Sequence, residues 1–119
     1  MANAAIFIGW GQVVRGREAK ALEVFNEGQA YYGRLQAAGT IESFETVLLQ
    51  PHGGDLGGFI LMRGERAKLD ALANTAEFQT LTVRANLIVD KIGVVNASIG
   101  TELMEGIGRL QTAIGELGT

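Results

Sequence analysis

Apolar positions recur along this chain with two different periods, and each change of period marks an element. Residues Ala4 to Trp10 form a short apolar run with β-branched and aromatic members, too short for an independent helix and flanked at its end by Gly9 and Gly11. This pattern predicts a first strand. From Arg17 to about Ala38, Leu22, Phe25, Gln29, Tyr32 and Leu35 step by three and four, while Glu18, Lys20, Glu23, Glu27 and Arg34 fill other faces. The spacing predicts an amphipathic helix stopped by Gly39. Ile41 to Leu49 reads as a second strand, charged only in its first half. Pro51-His52-Gly53-Gly54-Asp55-Leu56-Gly57-Gly58 is the one dense cluster of chain-breaking residues, and its length suits a long hairpin loop. A third strand, Gly58 to Arg63, follows it. Glu65 to Leu72 is helical by period, with Leu69 and Leu72 on its inner side. Asn74-Thr75-Ala76-Glu77 has a capping-box pattern with Asn74 as cap, and it opens a further helix whose buried stripe is Phe78, Leu81 and Ala85. Leu87 to Ile99, rich in Ile and Val and closed by Gly100, predicts a fourth strand. Thr101 then caps a last helix. Its apolar residues Leu103, Ile107, Leu110, Ile114 and Leu117 are spaced four, three, four, three, the seam of a helix packed along its whole length.

The order is β-α-β, then β-α-β with a helical insertion, then α, all within one domain over residues 1–119. The simplest closure is an α+β, ferredoxin-like βαββαβ fold: an antiparallel four-stranded sheet, helices on one face only, and an extra C-terminal helix. One-sided cover demands strands that alternate apolar and polar. Ile6, Phe7 and Ile8, and Phe59, Ile60, Leu61 and Met62, are instead apolar on both faces. Hiding roughly six to eight such side chains is worth on the order of ten kcal/mol, comparable with the whole stability of a domain this size. The terminal helix or a neighbouring molecule must cover the second face, and a self-complementary sheet face is what a two-fold dimer uses. The expectation is an obligate homodimer through the open sheet face, shielding Phe59 and Leu61.

Composition narrows the chemistry. The 119 residues are 47% hydrophobic and 19% charged, with a net charge of −3, and the mean hydropathy is +0.17. The 17 glycines fall singly or in pairs between apolar runs, as turn residues do, so disorder is not expected. Without cysteine there is no disulfide framework, zinc-thiolate site or thiol nucleophile. The N-terminus lacks a basic region ahead of its apolar run, and no stretch reaches about 18 apolar residues, so the expected location is the cytoplasm with no membrane partner. Charges of both signs are spread without runs, which leaves no electrostatic footprint for nucleic acid.

Ala76-Glu77-Phe78-Gln79, leading through a short helix to Val94-Val95-Asn96-Ala97, resembles the proline-glutamate-phenylalanine, helix, last-strand passage common in the dimeric α+β barrel superfamily. The resemblance runs from Ala4 to Ile99. It implies ferredoxin-like subunits paired sheet to sheet around a shared barrel. Its members include antibiotic-biosynthesis-type monooxygenases that need no metal or flavin, haem-degrading oxygenases, chlorite dismutase-like enzymes, muconolactone isomerases and stress-response barrels. Haem degraders of the superfamily typically pair a helix-borne histidine with a tryptophan and an asparagine. Here the only histidine, His52, lies in the loop, and the first strand carries no asparagine in its interior.

Few residues carry candidate chemistry. His52 is a candidate general base on a mobile loop or a solvated turn residue. Trp10, at a strand end, is placed to lie over a flat ligand or to pack beneath a loop. Tyr31 and Tyr32 point about 100° apart on their helix, so one should face the sheet and the other water or a partner. Glu45 shares a strand face with Val47 and Leu49 and becomes a proton acceptor if that face is enclosed. Arg63 and Lys91 close the ends of the third and fourth strands, and Asn96 lies among Val and Ala as a structural hydrogen bonder or a ligand-orienting amide. One histidine among scattered carboxylates offers no metal site, the glycine pairs form no phosphate loop, and no cofactor is expected. The leading expectation is a homodimeric barrel protein binding a small apolar or aromatic molecule in its interior through Trp10, Glu45, Arg63 and Asn96. The alternatives are a cofactor-independent monooxygenase or isomerase, with Glu45 and His52 as catalytic candidates, and a structural or stress-related dimer without a ligand. If Glu45 and Asn96 face one cavity, the enzyme gains.

Overall fold

In the computed structural model, which describes residues 2–118, the first apolar run is strand β1 (Ala4–Trp10). It is followed by α1 (Glu18–Ala37), β2 (Ser43–Leu48), β3 (Gly58–Gly64), α2 (Arg66–Ala73), α3 (Ala76–Asn86), β4 (Gly93–Ser98) and α4 (Gly100–Leu117). The sheet order is β2-β3-β1-β4, with every pair antiparallel. This is the ferredoxin-like arrangement. Strand β1 is central: Ile6 stands opposite Met62 on one side and Asn96 on the other, and Phe7 opposite Leu61 and Val95.

Because side chains alternate along a strand, Ala4, Ile6 and Ile8 share the helix-covered face with Ile60 and Met62. They pack there against Tyr31 and Tyr32 of α1, Leu69 and Leu72 of α2 and Phe78 of α3. Leu69 and Met62 are fully buried. Gly64 lets α2 fold straight back on β3, since a Cβ there would stand 3.3 Å from Leu69 Cδ2. A second, smaller cluster joins Ala21 and Val24 of α1 to Ile88 and Val89. The other sheet face carries Phe7 stacked on Phe59, ring centroids 5.2 Å apart, beside Leu61, Val47 and Val95, the last 56% exposed.

The structure corrects several local expectations. The fourth strand begins at Gly93, not Leu87: Leu87 ends α3, Val14 N–H donates to Ile88 O at 2.9 Å, and Val89 bridges Val13. The run Ile88-Val89 is apolar because it seals the second cluster, and Lys91, at φ 53°, then turns the chain into β4. Lys91 therefore ends no strand; its Nζ pairs with Asp55 at 2.8 Å. The cap of α3 is Thr75, whose Oγ1 accepts from Phe78 N–H at 3.3 Å, whereas Asn74 closes α2 by donating to Asp70 O at 2.9 Å. Tyr31 and Tyr32 are both buried, because α3 covers Tyr31 on the side that a four-strand, two-helix layout leaves to water.

Helix α4 does not pack along its length. None of its described residues is buried. Its seam is open, with Leu103, Ile107 and Ile114 at 41 to 46% exposure and Leu117 at 76%. The radius of gyration, 16.5 Å, exceeds the roughly 13.5 Å of a compact chain this long, as an arm leaving the body requires. Only the first turn is clasped, where Arg66 Nε meets Glu102 Oε2 at 2.7 Å. The open sheet face is thus not covered by the terminal helix.

Candidate functional site

The two packed clusters are bridged by Trp10 and Leu81, which pack against both. Between the clusters, on the helix side of the sheet, lies a cavity of about 340 Å³, within the range of small-molecule sites. The sheet supplies Ile8, Trp10, Leu48 and Ile60, the loop before β4 supplies Ile88, Val89 and Ile92, and α3 supplies Leu81, Thr82 and Ala85. Helix α1 supplies the rest of the wall, Ala21, Leu22, Val24, Phe25, Gly28, Gln29 and Tyr32, with Glu18 near its start. Val13, Leu22 and Leu48 are exposed lining residues and mark the mouth.

Why α1 builds such a wall is visible in its sequence. Ala21, Val24, Gly28 and Tyr31 step by three, four and three and are buried. The neighbouring row Leu22, Phe25, Gln29 and Tyr32 is rotated by about 100° from it, and all four of its members line the cavity. An apolar face this wide is broader than cover of a sheet requires. Trp10 is held at the rim by close backbone approaches: Gly57 N–H donates to Trp10 O at 2.7 Å, and a Cβ at Gly58 would stand 2.8 Å from the indole.

The polar groups of the wall are few. Gln29 Nε2 donates to Thr46 Oγ1 at 2.9 Å, which fixes the amide against β2. Burial pushes the Tyr32 phenol up to about 12, with a further upward push from Tyr31, so at neutral pH it is a hydrogen-bond donor and not a base. The same shift makes a prediction. A phenol whose pKa is 10.0 when unfolded and about 12 when folded keeps its proton longer in the native state, so stability falls as pH rises from 10 to 12. The loss is up to about 2.5 kcal/mol. Chemical denaturation at pH 9 and pH 11.5 should show a steeper fall for the parent than for Tyr32→Phe; equal falls would contradict this assignment.

Of the residues singled out in the sequence, the structure brings Trp10 and Tyr32 to this cavity, and none of Glu45, His52, Arg63, Lys91 and Asn96. Glu45 and Asn96 stand on opposite faces of the sheet: Glu45 is opposite Leu61 and Asn96 opposite Ile6. They face no common chamber within the protomer. Asn96 Oδ1 accepts from Arg66 Nη1 at 2.9 Å. Arg63 lies on the open face between Ala5 and Ser43. His52 is engaged in its own turn, with Nε2 2.7 Å from Leu56 O and Nδ1 accepting from Gly54 N–H at 3.2 Å. Phe25 and Gln29 read in the sequence as part of one helix stripe and not as a wall; the double row on α1 was the available signal.

No protein-family model matches the chain, and no curated protein matches it in sequence. Solved structures do match its fold. A dimeric ferredoxin-like protein of unknown function from Jannaschia sp. CCS1 is 13% identical with a TM-score of 0.62, over 81% of this chain and 98% of that one. A dimeric protein of unknown function and ferredoxin-like fold from Bacteroides fragilis NCTC 9343 is 13% identical with a TM-score of 0.58, over 81% and 96%. SnoaB, a cofactor-independent oxygenase from Streptomyces nogalater, is 14% identical with a TM-score of 0.56, over 83% and 95%. The chain is therefore an α+β protein of the ferredoxin-like fold. It shares that fold both with dimeric proteins of unknown function and with a cofactor-independent oxygenase. No described helix is long and apolar enough to cross a membrane.

Proposed function

We propose that the protein is a cytoplasmic homodimer, joined through its open sheet faces, in which each protomer binds a small apolar or aromatic molecule in the cavity between α1, α3 and the sheet. The observation that carries this reading is that cavity: about 340 Å³ of almost wholly apolar wall, with Trp10, Phe25 and Tyr32 offering aromatic faces and Gln29 a fixed amide. Such a lining favours a flat, uncharged ligand with one polar atom. A recess with this lining favours a bound ligand over a purely structural dimer. Glu45 and Arg63 belong to the sheet-to-sheet contact in this reading, and Asn96 to the clasp on α4.

The chain has one tryptophan, so Trp10 emission reports on the cavity directly. Titration with 2-naphthol should quench it with a dissociation constant on the order of 10 to 100 μM. Ala85→Phe, which places a ring in the cavity, should weaken binding by at least about tenfold, since overpacked space holds no second ring. Emission unmoved by 2-naphthol, or equal binding by Ala85→Phe, would overturn the proposal.

A second reading, a cofactor-independent oxygenase, is supported by the shared fold with SnoaB and by the same cavity. Fold alone does not carry an activity, and the wall holds donors, Gln29 and Tyr32, with Glu18 its one carboxylate. Oxygen uptake with the flat phenol 2-naphthol as substrate tests this reading separately: uptake abolished by Ala85→Phe would establish it, and no uptake would leave the binding protein.

A further inference from the structure

We propose that α4 pairs with the α4 of a second copy of this chain, the two seams forming a short two-stranded coiled coil next to the sheet-to-sheet contact. The inference rests on the dimer proposed above and adds a second contact to it. In heptad terms Ile107 and Ile114 occupy a, while Leu103, Leu110 and Leu117 occupy d. Isoleucine at a with leucine at d is the combination that favours two strands.

The flanks of the seam agree. Positions e and g hold Met104, Gln111, Gly106 and Ala113, all uncharged, and the two small g residues permit close approach. The charges of α4, at Glu102, Glu105, Arg109 and Glu116, all fall at c and f, away from the seam. No charge of either helix lies at the seam itself. The seam is also unused within the protomer. It is centred about 100° round the helix from Glu102, the residue that Arg66 holds to the body at 2.7 Å.

Area points to the same occupant. Four strands at about 4.8 Å spacing and about six residues at 3.4 Å give the open sheet face a footprint near 400 Å². A stable pair of proteins usually buries about 800 Å² on each side. Helix α4 leaves the sheet one residue after β4, the strand that presents Val95 on that face. Its length of about 27 Å and width of about 10 Å add roughly 270 Å² to the footprint. Two and a half heptads interrupted by Gly106, Gly108 and Gly115 would not hold together alone. Tethered beside a sheet contact, they pair at high effective concentration.

The native chain has no cysteine, so single-cysteine variants read this contact cleanly. Leu110 is the middle of the seam and meets its own counterpart whether the helices run parallel or antiparallel. Mild oxidation of full-length Leu110→Cys should give a disulfide-linked dimer, and Thr112→Cys, at the outer f position, should not. By sedimentation, Ile107→Glu/Ile114→Glu should raise the dimer dissociation constant at least about tenfold. Both residues are already exposed, so the protomer should keep its fold and its Trp10 emission. Unchanged dimerisation in the double variant, with Leu110→Cys linking no faster than Thr112→Cys, would overturn the inference and leave the sheet contact standing. Fast linkage through Leu110→Cys in a chain whose association ignores Leu61→Asp would do the reverse.

Discussion

Leu61→Asp is expected to convert the proposed dimer into a monomer while leaving the protomer folded. Leu61 is at the centre of the open face, in register with Phe7 on one side and Glu45 on the other. In the isolated protomer it is only half-buried, so a carboxylate there keeps its water and the protomer loses about 1 kcal/mol or less. In a two-fold contact the same carboxylate is desolvated twice, once from each chain, beside Glu45 and with no cation in register. Several kcal/mol per buried charge then corresponds to a dissociation constant raised about a thousandfold or more. Sedimentation velocity across a concentration series measures it. Association as tight as the parent's would remove the sheet-to-sheet contact from consideration.

Arg66→Ala is expected to cost about 3 kcal/mol and lower the melting temperature by roughly 10 °C. One guanidinium, 22% exposed as a side chain, ties four elements together. Nε and Nη2 hold the two Glu102 oxygens at 2.7 and 2.9 Å, Nη1 donates to Asn96 at 2.9 Å, and Nη2 also reaches Ala5 O at 3.2 Å and Ala97 O at 3.1 Å. Its loss removes a donor from two strand carbonyls and frees the start of α4. The Arg66 hydrogen bond holds the Glu102 carboxyl below its ordinary 4.5. The pair therefore contributes stability that is present above the ordinary carboxylate range and is lost as pH falls through the lowered value. In Arg66→Ala that part of the acid dependence should vanish, and amides 102–104 should exchange faster. A melting temperature within about 1 °C of the parent would refute the clasp. Arg66→Lys, which keeps the charge and loses the fork, should recover less than half.

The element order, the sheet topology and the doubly apolar strands were legible because each rests on period and punctuation, which are local. What failed locally failed where an apolar residue had another job. Ile88 and Val89 have strand composition yet plug the second cluster. Leu22, Phe25, Gln29 and Tyr32 have core spacing yet line a space. The α4 seam was readable from its four-three repeat, but that it is left open within the chain depends on tertiary packing that the repeat does not encode. For the proposed site, Glu45, Arg63, Asn96 and His52 are legible as chemically versatile groups but lie outside the cavity, whose wall is made of aliphatic and aromatic side chains that composition alone assigns to a core. Which face of a sheet an Asn or Glu occupies turns on a register of one residue. That is why Asn96 and Glu45 ended on opposite sides.

The central place of β1 has a consequence for the life of the nascent chain. Ala4 to Trp10 are translated well before their partners: β3 comes some fifty residues later, and β4, whose Ser98 pairs with Ala4, later still. At about 5 to 20 residues per second, this sticky heptapeptide waits on the order of ten seconds outside the ribosome before its second neighbour exists. Cells that make much of this protein should therefore depend on a holding chaperone, and slowing elongation should send more of it into inclusion bodies.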